Sequence, residues 1–197
     1  MTTLLLARHG ETDWNGERRW QGHYDQPLND TGRDQAVELA ASLAGTPIAA
    51  IYSSDLVRAR ETAEIVAERL GLTVVVDAGL REVDVGNWSG VTHDEIRERY
   101  PEGFARWQEG GHGWEGGESY DQMGERAVTT LLRLAEHHAG ETVLVVAHGG
   151  TIRACLAAAA GVTYRELRAA GSPPAANCSV HELRVAGGRL TTPSPAR

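Results

Sequence analysis

Apolar positions fall into short runs that alternate with amphipathic stretches. Thr3–Ala7, Ile48–Tyr52, Thr73–Val76 and Thr142–Ala147 are compact and apolar, with few charges. Runs of this length, apolar on both faces, predict buried strands. Between them the period changes. Ala59, Ala63, Val66 and Leu70 share one face at helical spacing, and so do Met123, Ala127, Leu131 and Leu134. A further helix is predicted from about Asp34 to Leu43, after a turn signal at Asp30-Thr31-Gly32. Ser53-Ser54-Asp55 supplies capping residue types before the helix that Gly71 ends. Thr92 with Glu95, and Ser119 with Gln122, have capping-box spacing. Val180–Val185 and Arg189–Thr192, joined by Gly187-Gly188, predict a hairpin.

Strands that alternate with helices predict an α/β fold, a three-layer α/β/α sandwich around a mostly parallel sheet. The polar segment from about 77 to 117 is expected to form a small helical cap over the strand ends. Within it, five glycines between Gly110 and Gly117 predict a mobile loop. The last five residues, 193–197, are expected to be loose. No repeat or linker interrupts the chain, so residues 1–197 are expected to form a single domain, a size that supports one core.

Charge narrows the function. The 19 basic residues against 27 acidic ones give a net charge of −8, which disfavours nucleic acid and anionic membranes as partners. All the basic residues are Arg. The missing Lys removes P-loop and Schiff-base chemistry and leaves the side chain best shaped to grip phosphate in pairs of hydrogen bonds. Two distant cysteines, Cys155 and Cys178, suggest neither a disulfide framework nor a zinc site, and no metal or cofactor is expected. The apolar run before Arg8 is short for a signal peptide, and no stretch approaches a membrane span. The expectation is a cytoplasmic protein. A homodimer is compatible with the sequence, and no residue fixes it.

The chemistry gathers at strand ends. Two strands run into Arg8-His9-Gly10 and His148-Gly149-Gly150. In open parallel sheets, ligands bind beyond the carboxyl ends of the strands. Arg58 lies just inside the helix after the second strand. Two Arg and two His around one point would neutralise a phosphate dianion, and a neutral imidazole in line with phosphorus would act as nucleophile. The leaving oxygen needs a proton, which a carboxyl group would supply. Glu82 is the best-placed candidate among loop carboxylates that include Glu11, Glu95 and Glu118.

Leu5-Leu6-Ala7-Arg8-His9-Gly10-Glu11-Thr12-Asp13-Trp14-Asn15 resembles the signature of the histidine phosphatase family, the phosphoglycerate mutase-like proteins. Gln21-Gly22, Asp25-x-Pro27-Leu28 and Thr31-Gly32-x-x-Gln35-Ala36 follow in the family's order, as do Ser53-Ser54-Asp55-Leu56-x-Arg58-Ala59-x-x-Thr62-Ala63, Leu80-Arg81-Glu82, Gly86-x-Trp88-x-Gly90, Gly117-Glu118-Ser119 and Val146 to Gly150. The resemblance runs from Leu5 to about Val180. It implies a metal-independent phosphatase with His9 as nucleophile and Glu82 as acid and base. It further implies Arg8, Arg58 and His148 as phosphate ligands, completed by Asn15, Gln21, Gly22 and the Gly149 backbone. The partner is then a small-molecule phosphate ester, such as a sugar phosphate or a phosphoglycerate derivative.

Two other functions fit the same residues. One is a cofactor-dependent phosphoglycerate mutase, which returns the phosphoryl group to substrate. The short segment after Glu82 favours the phosphatase. The other is a non-catalytic phosphate-binding or interaction protein. Trp14, Trp20, Trp88, Trp107 and the glycine loop would select the ester. Arg18 and Arg19 read first as solvated surface and second as contacts for an anionic part of the substrate. His23, His93, His112, His137, His138 and His181 read as surface residues. Cys178 and Arg184 have the spacing of a cysteine phosphatase, but the intervening residues read as strand. Gly111, Gly113 and Gly116 fit a dinucleotide pattern but follow no strand.

Overall fold

The computed structural model describes residues 1–193. In chain order the elements are β1 (Thr2–Arg8), α1 (Asp13–Gly16), α2 (Asp30–Ser42), β2 (Ile48–Ser53), α3 (Val57–Leu70), β3 (Val74–Val76), α4 (His93–Arg99), α5 (Pro101–Gln108), α6 (Tyr120–His137), β4 (Thr142–Ala147), α7 (Gly149–Ala160), α8 (Tyr164–Ala169), β5 (Val180–Ala186) and β6 (Arg189–Thr191). The sheet order is β3-β2-β4-β1-β5-β6. β1, β4, β2 and β3 are parallel, and β5 and β6 add an antiparallel edge.

Each central strand feeds two cores. Leu4, Leu6, Val143 and Val145 pack with Leu131, Leu134 and Ile152 of α6 and α7. Leu144, Val146 and Ile51 pack with Leu39, Ala63 and Val66 of α2 and α3. The period-2 alternation of side chains thus divides β4 between two helical layers. This is the expected three-layer sandwich.

This topology creates the site. β1 and β4 are neighbours, with Arg8 beside Ala147. The chain leaving β1 goes to α2 on one face, and the chain leaving β4 goes to α7 on the other. Connections that part on opposite faces leave a crevice at the strand ends, and His9 and His148 are the first residues in it.

The cap has its own core. Val83, Val85, Trp88, Ile96 and Trp114 pack against Tyr120, Met123, Ala154 and Tyr164. Both capping boxes are present, Thr92 with Glu95 and Ser119 with Gln122.

Local readings differ from the structure in five places. α2 begins at Asp30, because Asn29 caps it by accepting from the Gly32 amide; the turn signal is its first turn. α1 forms where a loop from Glu11 to about Asn29 is expected, and α8 forms where the sequence predicts no element. The start of α3 takes a distant cap: Asp25 Oδ1 accepts from the Val57 amide at 2.6 Å. The glycine segment expected to be mobile is packed at Gly113 and Trp114. Trp114 is 2% exposed and donates to the Glu118 carbonyl at 2.9 Å, and a side chain at Gly113 would strike the Trp88 ring. The hairpin turn does use Gly187 and Gly188, both at positive φ. Of the loose end expected at 193–197, residues 194–197 lie outside the described residues. Among the described residues, no helix is long and apolar enough to cross a membrane.

Trp114 anchors the cap, so Trp114→Ala should cost about 3–5 kcal/mol in urea unfolding. It should also open segment 110–117 to limited proteolysis. An unchanged midpoint would show that the indole contributes nothing to folding.

Candidate active site

The two strand-end histidines meet. The rings of His9 and His148 lie 5.2 Å apart between centroids, tilted by 58°. His9 is buried, and its Nδ1–H donates to the Gly10 carbonyl at 2.6 Å. This bond fixes the tautomer and leaves Nε2 with its lone pair free. The backbone around it is braced. Asn177 Nδ2 donates to the His9 carbonyl at 2.9 Å. The Gly10 amide donates to Thr62 Oγ1 at 3.0 Å, and the Thr62 hydroxyl donates to the Arg58 carbonyl at 2.7 Å.

Arg8 and Arg58 complete the cage, and both are held by carbonyls. Arg8 Nη1 donates to Ala175 at 2.7 Å. Arg58 Nη1 and Nη2 donate to Tyr24 and Gly22, each at 2.8 Å. Gly22, at φ +51°, takes a conformation that glycine tolerates and side chains resist, and this turns its carbonyl to the guanidinium. Neither arginine has a carboxylate salt bridge among the described residues.

The buried polar atoms left without partners therefore include Arg8 Nε, Arg58 Nε and both ring nitrogens of His148. Such orphans are rare in folded proteins; Arg8 and Arg58 line the cavity and His148 is buried beside His9, and together they mark a place for an oxygen-rich anion.

The electrostatics agree. Burial, aided by Arg58 and Arg8, pushes His9 well below the usual histidine range. His148 is lowered by burial, then by Arg58, His9, Arg8 and Arg126. Both rings are thus neutral near pH 7. Burial lowers Arg58 to about 10, partly offset by Glu82 and Asp25, so it remains a cation. The α7 N-terminus, with Gly149 beside Arg8, adds the positive end of a helix dipole.

Glu82 closes the site from the cap side. Its Oε2 accepts from the Gly150 amide at 2.9 Å and its Oε1 from the Val83 amide at 3.0 Å. A β-carbon at Gly150 would collide with this carboxylate, so the approach requires glycine. The Glu82 loop is clamped from below. Arg126 donates to the carbonyls of Gly79, Arg81 and Glu82 at 3.1, 2.7 and 2.7 Å, and it pairs with Glu118. Thr151 donates to the Arg81 carbonyl at 2.9 Å, and Arg81 forks onto Asp55 at 2.7 and 2.5 Å.

Asn15 and Gln21 line the same cavity but work first on the loop. Asn15 Oδ1 accepts from the Thr12 amide at 3.1 Å and so closes the cap of α1. Gln21 Nε2 donates to Thr12 Oγ1 at 2.8 Å, and its Oε1 is buried without a partner.

Several residues depart from their sequence reading. His23, read as surface, donates through Nε2 to the Glu82 carbonyl at 2.8 Å. His93, also read as surface, packs its ring on Trp20 and Trp107 in the cavity wall. His138 stacks edge-on against Tyr52 and bonds its hydroxyl. Arg18 is exposed and Arg19 half-buried, and both line the cavity. Arg126 and Asn177 were missed, because no local pattern links them to Glu82 or His9. Thr62 and Gly150 did lie inside the quoted motifs. Residues 180–186 after Cys178 form β5, so the cysteine-phosphatase spacing is a coincidence.

The cavity holds about 600 Å³. His9, Arg8 and Arg58 form its floor, Glu82 one side, and Trp14, Trp20 and Trp107 its outer walls.

Residues 4–194 match the model of the histidine phosphatase superfamily (branch 1). Phosphoserine phosphatase 1 of Hydrogenobacter thermophilus is 37% identical over 183 residues, 92% of this chain and 87% of that protein. The solved structure of Bacillus stearothermophilus YhfR superposes with a TM-score of 0.89 at 39% identity, covering 98% of this chain and 95% of that one. A mycobacterial glucosyl-3-phosphoglycerate phosphatase solved with VO3 superposes at 0.88 with 35% identity, covering 97% and 96%. With its motifs at the ends of the expected strands and its matched region spanning nearly its whole length, the chain belongs to the histidine phosphatase superfamily, branch 1.

Proposed function

We propose that this chain, acting as a single domain, is a phosphomonoester phosphatase working through a phosphohistidine on a small phosphorylated metabolite. The observation that carries this reading is a neutral, tautomer-fixed His9 beside unpartnered Arg8, Arg58 and His148 atoms, with a carboxyl group across the cavity.

In the first step His9 Nε2 attacks phosphorus as the ester P–O bond breaks. The leaving oxygen takes a proton from the Glu82 carboxyl group. Arg8, Arg58 and His148 hold the three equatorial oxygens, where charge is concentrated in the transition state. In the second step Glu82, now a carboxylate, takes a proton from water as that water attacks phosphorus. The P–N bond breaks and orthophosphate leaves. Asn15, Gln21, Gly22 and the Gly149 amide complete the phosphate pocket. The relatives named for phosphoserine and for glucosyl-3-phosphoglycerate support hydrolysis of a small metabolite ester.

Three outcomes test this reading. Incubation with a phosphomonoester should release orthophosphate in step with ester consumed, and rapid quenching should trap one phosphate on the protein. Neither should occur in His9→Ala. Isomerised phosphoglycerate in place of orthophosphate would make the chain a mutase, and tight ester binding without turnover would make it a binding module.

Glu82→Gln should slow kcat for alkyl phosphates by about 10²–10⁴-fold. With p-nitrophenyl phosphate, whose leaving group needs no proton, the loss in the first step should be far smaller. Equal losses for both esters would remove Glu82 as the acid.

The histidines set the pH behaviour. Their folded pKa values lie below the unfolded value of about 6.5. They therefore contribute stability that is present above that pH and lost as pH falls through the folded values. The ring proton signals of His9 and His148 should keep neutral-imidazole shifts through pH 6.5, and saturating orthophosphate should move their titration upward. A free-state midpoint at 6.5 would contradict the geometry of buried, unpaired rings.

A further inference from the structure

The His9–Gly10 peptide sets the direction of the proposed nucleophile, because the ring bonds the Gly10 carbonyl through Nδ1. That peptide is pinned at both of its polar atoms. The Gly10 amide donates to Thr62 Oγ1 at 3.0 Å, and the His9 carbonyl accepts from Asn177 Nδ2 at 2.9 Å. Thr62 belongs to α3. Asn177 comes from the turn that leads into β5, and it does not line the cavity.

The turn is built against the start of the site. The Ser179 amide donates to the Ala176 carbonyl at 3.1 Å, which places Asn177 and Cys178 at its two central positions. Its other bonds go to the residue before the nucleophile. The Cys178 amide donates to the Arg8 carbonyl at 3.0 Å, the Arg8 amide to the Ser179 carbonyl at 3.2 Å, and Arg8 Nη1 to the Ala175 carbonyl at 2.7 Å. Cys178 has φ +55°, in the left-handed region that glycine tolerates and a side chain resists. Strained backbone persists only where its surroundings over-determine it, and it concentrates where function needs a fixed geometry. The contact that this strained turn delivers is the Asn177 amide on His9.

The same amide reaches a second group. Asn177 Nδ2 lies 3.5 Å from Asn15 Oδ1, which also accepts from the Thr12 amide at 3.1 Å and the Thr12 hydroxyl at 3.2 Å. Donors gathered around that oxygen settle which end of the Asn15 amide is which. Its nitrogen is left for the cavity that Asn15 lines, where a phosphate oxygen needs a donor.

We propose that Asn177 is a positioning residue for phosphoryl transfer. Its amide holds the His9–Gly10 peptide so that His9 keeps Nδ1 protonated and Nε2 aimed at phosphorus, and it keeps the Asn15 nitrogen turned to the phosphate. The effect on rate rests on the phosphatase reading, but the tautomer can be measured without turnover. In Asn177→Ala, phosphohistidine formation in a single turnover should slow about 10- to 100-fold, the size expected for a misaligned reactant. The loss should be equal for an alkyl phosphate and for p-nitrophenyl phosphate, because attack is impaired and protonation of the leaving group is not. Asn177→Gln keeps the N–H donors on a longer arm and should recover part of the rate. Nitrogen-15 spectra of the His9 ring should show the Nδ1–H form in the parent and a mixture of tautomers in Asn177→Ala. Should that variant fail to fold, Asn177→Asp, of the same shape and without the donors, carries the same measurements. A lower unfolding midpoint with an unchanged ring spectrum and an unchanged single-turnover rate would reduce Asn177 to a structural residue and overturn the proposal. A loss confined to the alkyl ester would overturn it too. A parent that releases no orthophosphate and forms no phosphohistidine would sink the phosphatase reading instead, and the ring spectrum would still decide whether Asn177 sets the tautomer.

Discussion

Two guanidinium groups drawn inward onto backbone carbonyls, with no carboxylate bonded to either among the described residues, govern this structure. Bringing a cation into the interior costs several kcal/mol unless an opposite charge accompanies it. Arg58 is 1% exposed, and its hydrogen bonds go to Tyr24 and Gly22. Carbonyl oxygens fix the direction of the fork but supply only dipoles. In the proposed function the balancing charge comes from the phosphate group of the substrate. A dianion entering this site therefore meets fields already oriented and requires little rearrangement. Burial, joined by the same positive field, keeps His9 unprotonated, which makes a proposed nucleophile out of an imidazole that water would leave half charged near pH 6.5.

Holding those groups in register falls to the layers beneath. Val143 to Ala147 of β4 are fully buried, and β1 lies against them from Thr3 to Arg8. His9 and His148 are thus continuations of paired strands and inherit their positions. Thr62 ties the two halves of the cage together, since one hydroxyl receives the Gly10 amide and donates to the Arg58 carbonyl. Glu82 has no strand behind it. Its position comes instead from Arg126, which gathers three carbonyls of the loop, and from the Gly150 amide, which reaches its carboxylate from the start of α7. The proposed acid and the proposed nucleophile are therefore placed by different means, one by a clamp and the other by a sheet.

That difference explains how much could be read from the chain. Arg8-His9-Gly10 and His148-Gly149 announce themselves, because an apolar strand that ends in charged and small residues has few other uses. The three-layer fold follows from the same strands. Residues whose role depends on long-range contacts were opaque. Arg126 belongs to α6 by sequence, and nothing in its neighbourhood points 44 residues back to Glu82. Asp25 caps a helix 32 residues ahead of it. Glu118, a rival to Glu82 as a loop carboxylate, is the counter-ion of Arg126. The glycine loop misled because glycine has two uses. Composition suggests freedom, whereas Gly113 is small so that the Trp88 ring can lie on it.

The chain bears a net charge of −8, yet its cavity is lined by six arginines and one carboxylate. An acidic exterior repels extended polyanions over distances of about a Debye length. A recess of about 600 Å³ has the size of a small-molecule site. A compact ester gains the full field of the arginines once inside. In the proposed function a small anionic ester is thus favoured by the arginines inside the recess, while the acidic excess elsewhere on the chain disfavours polyanions.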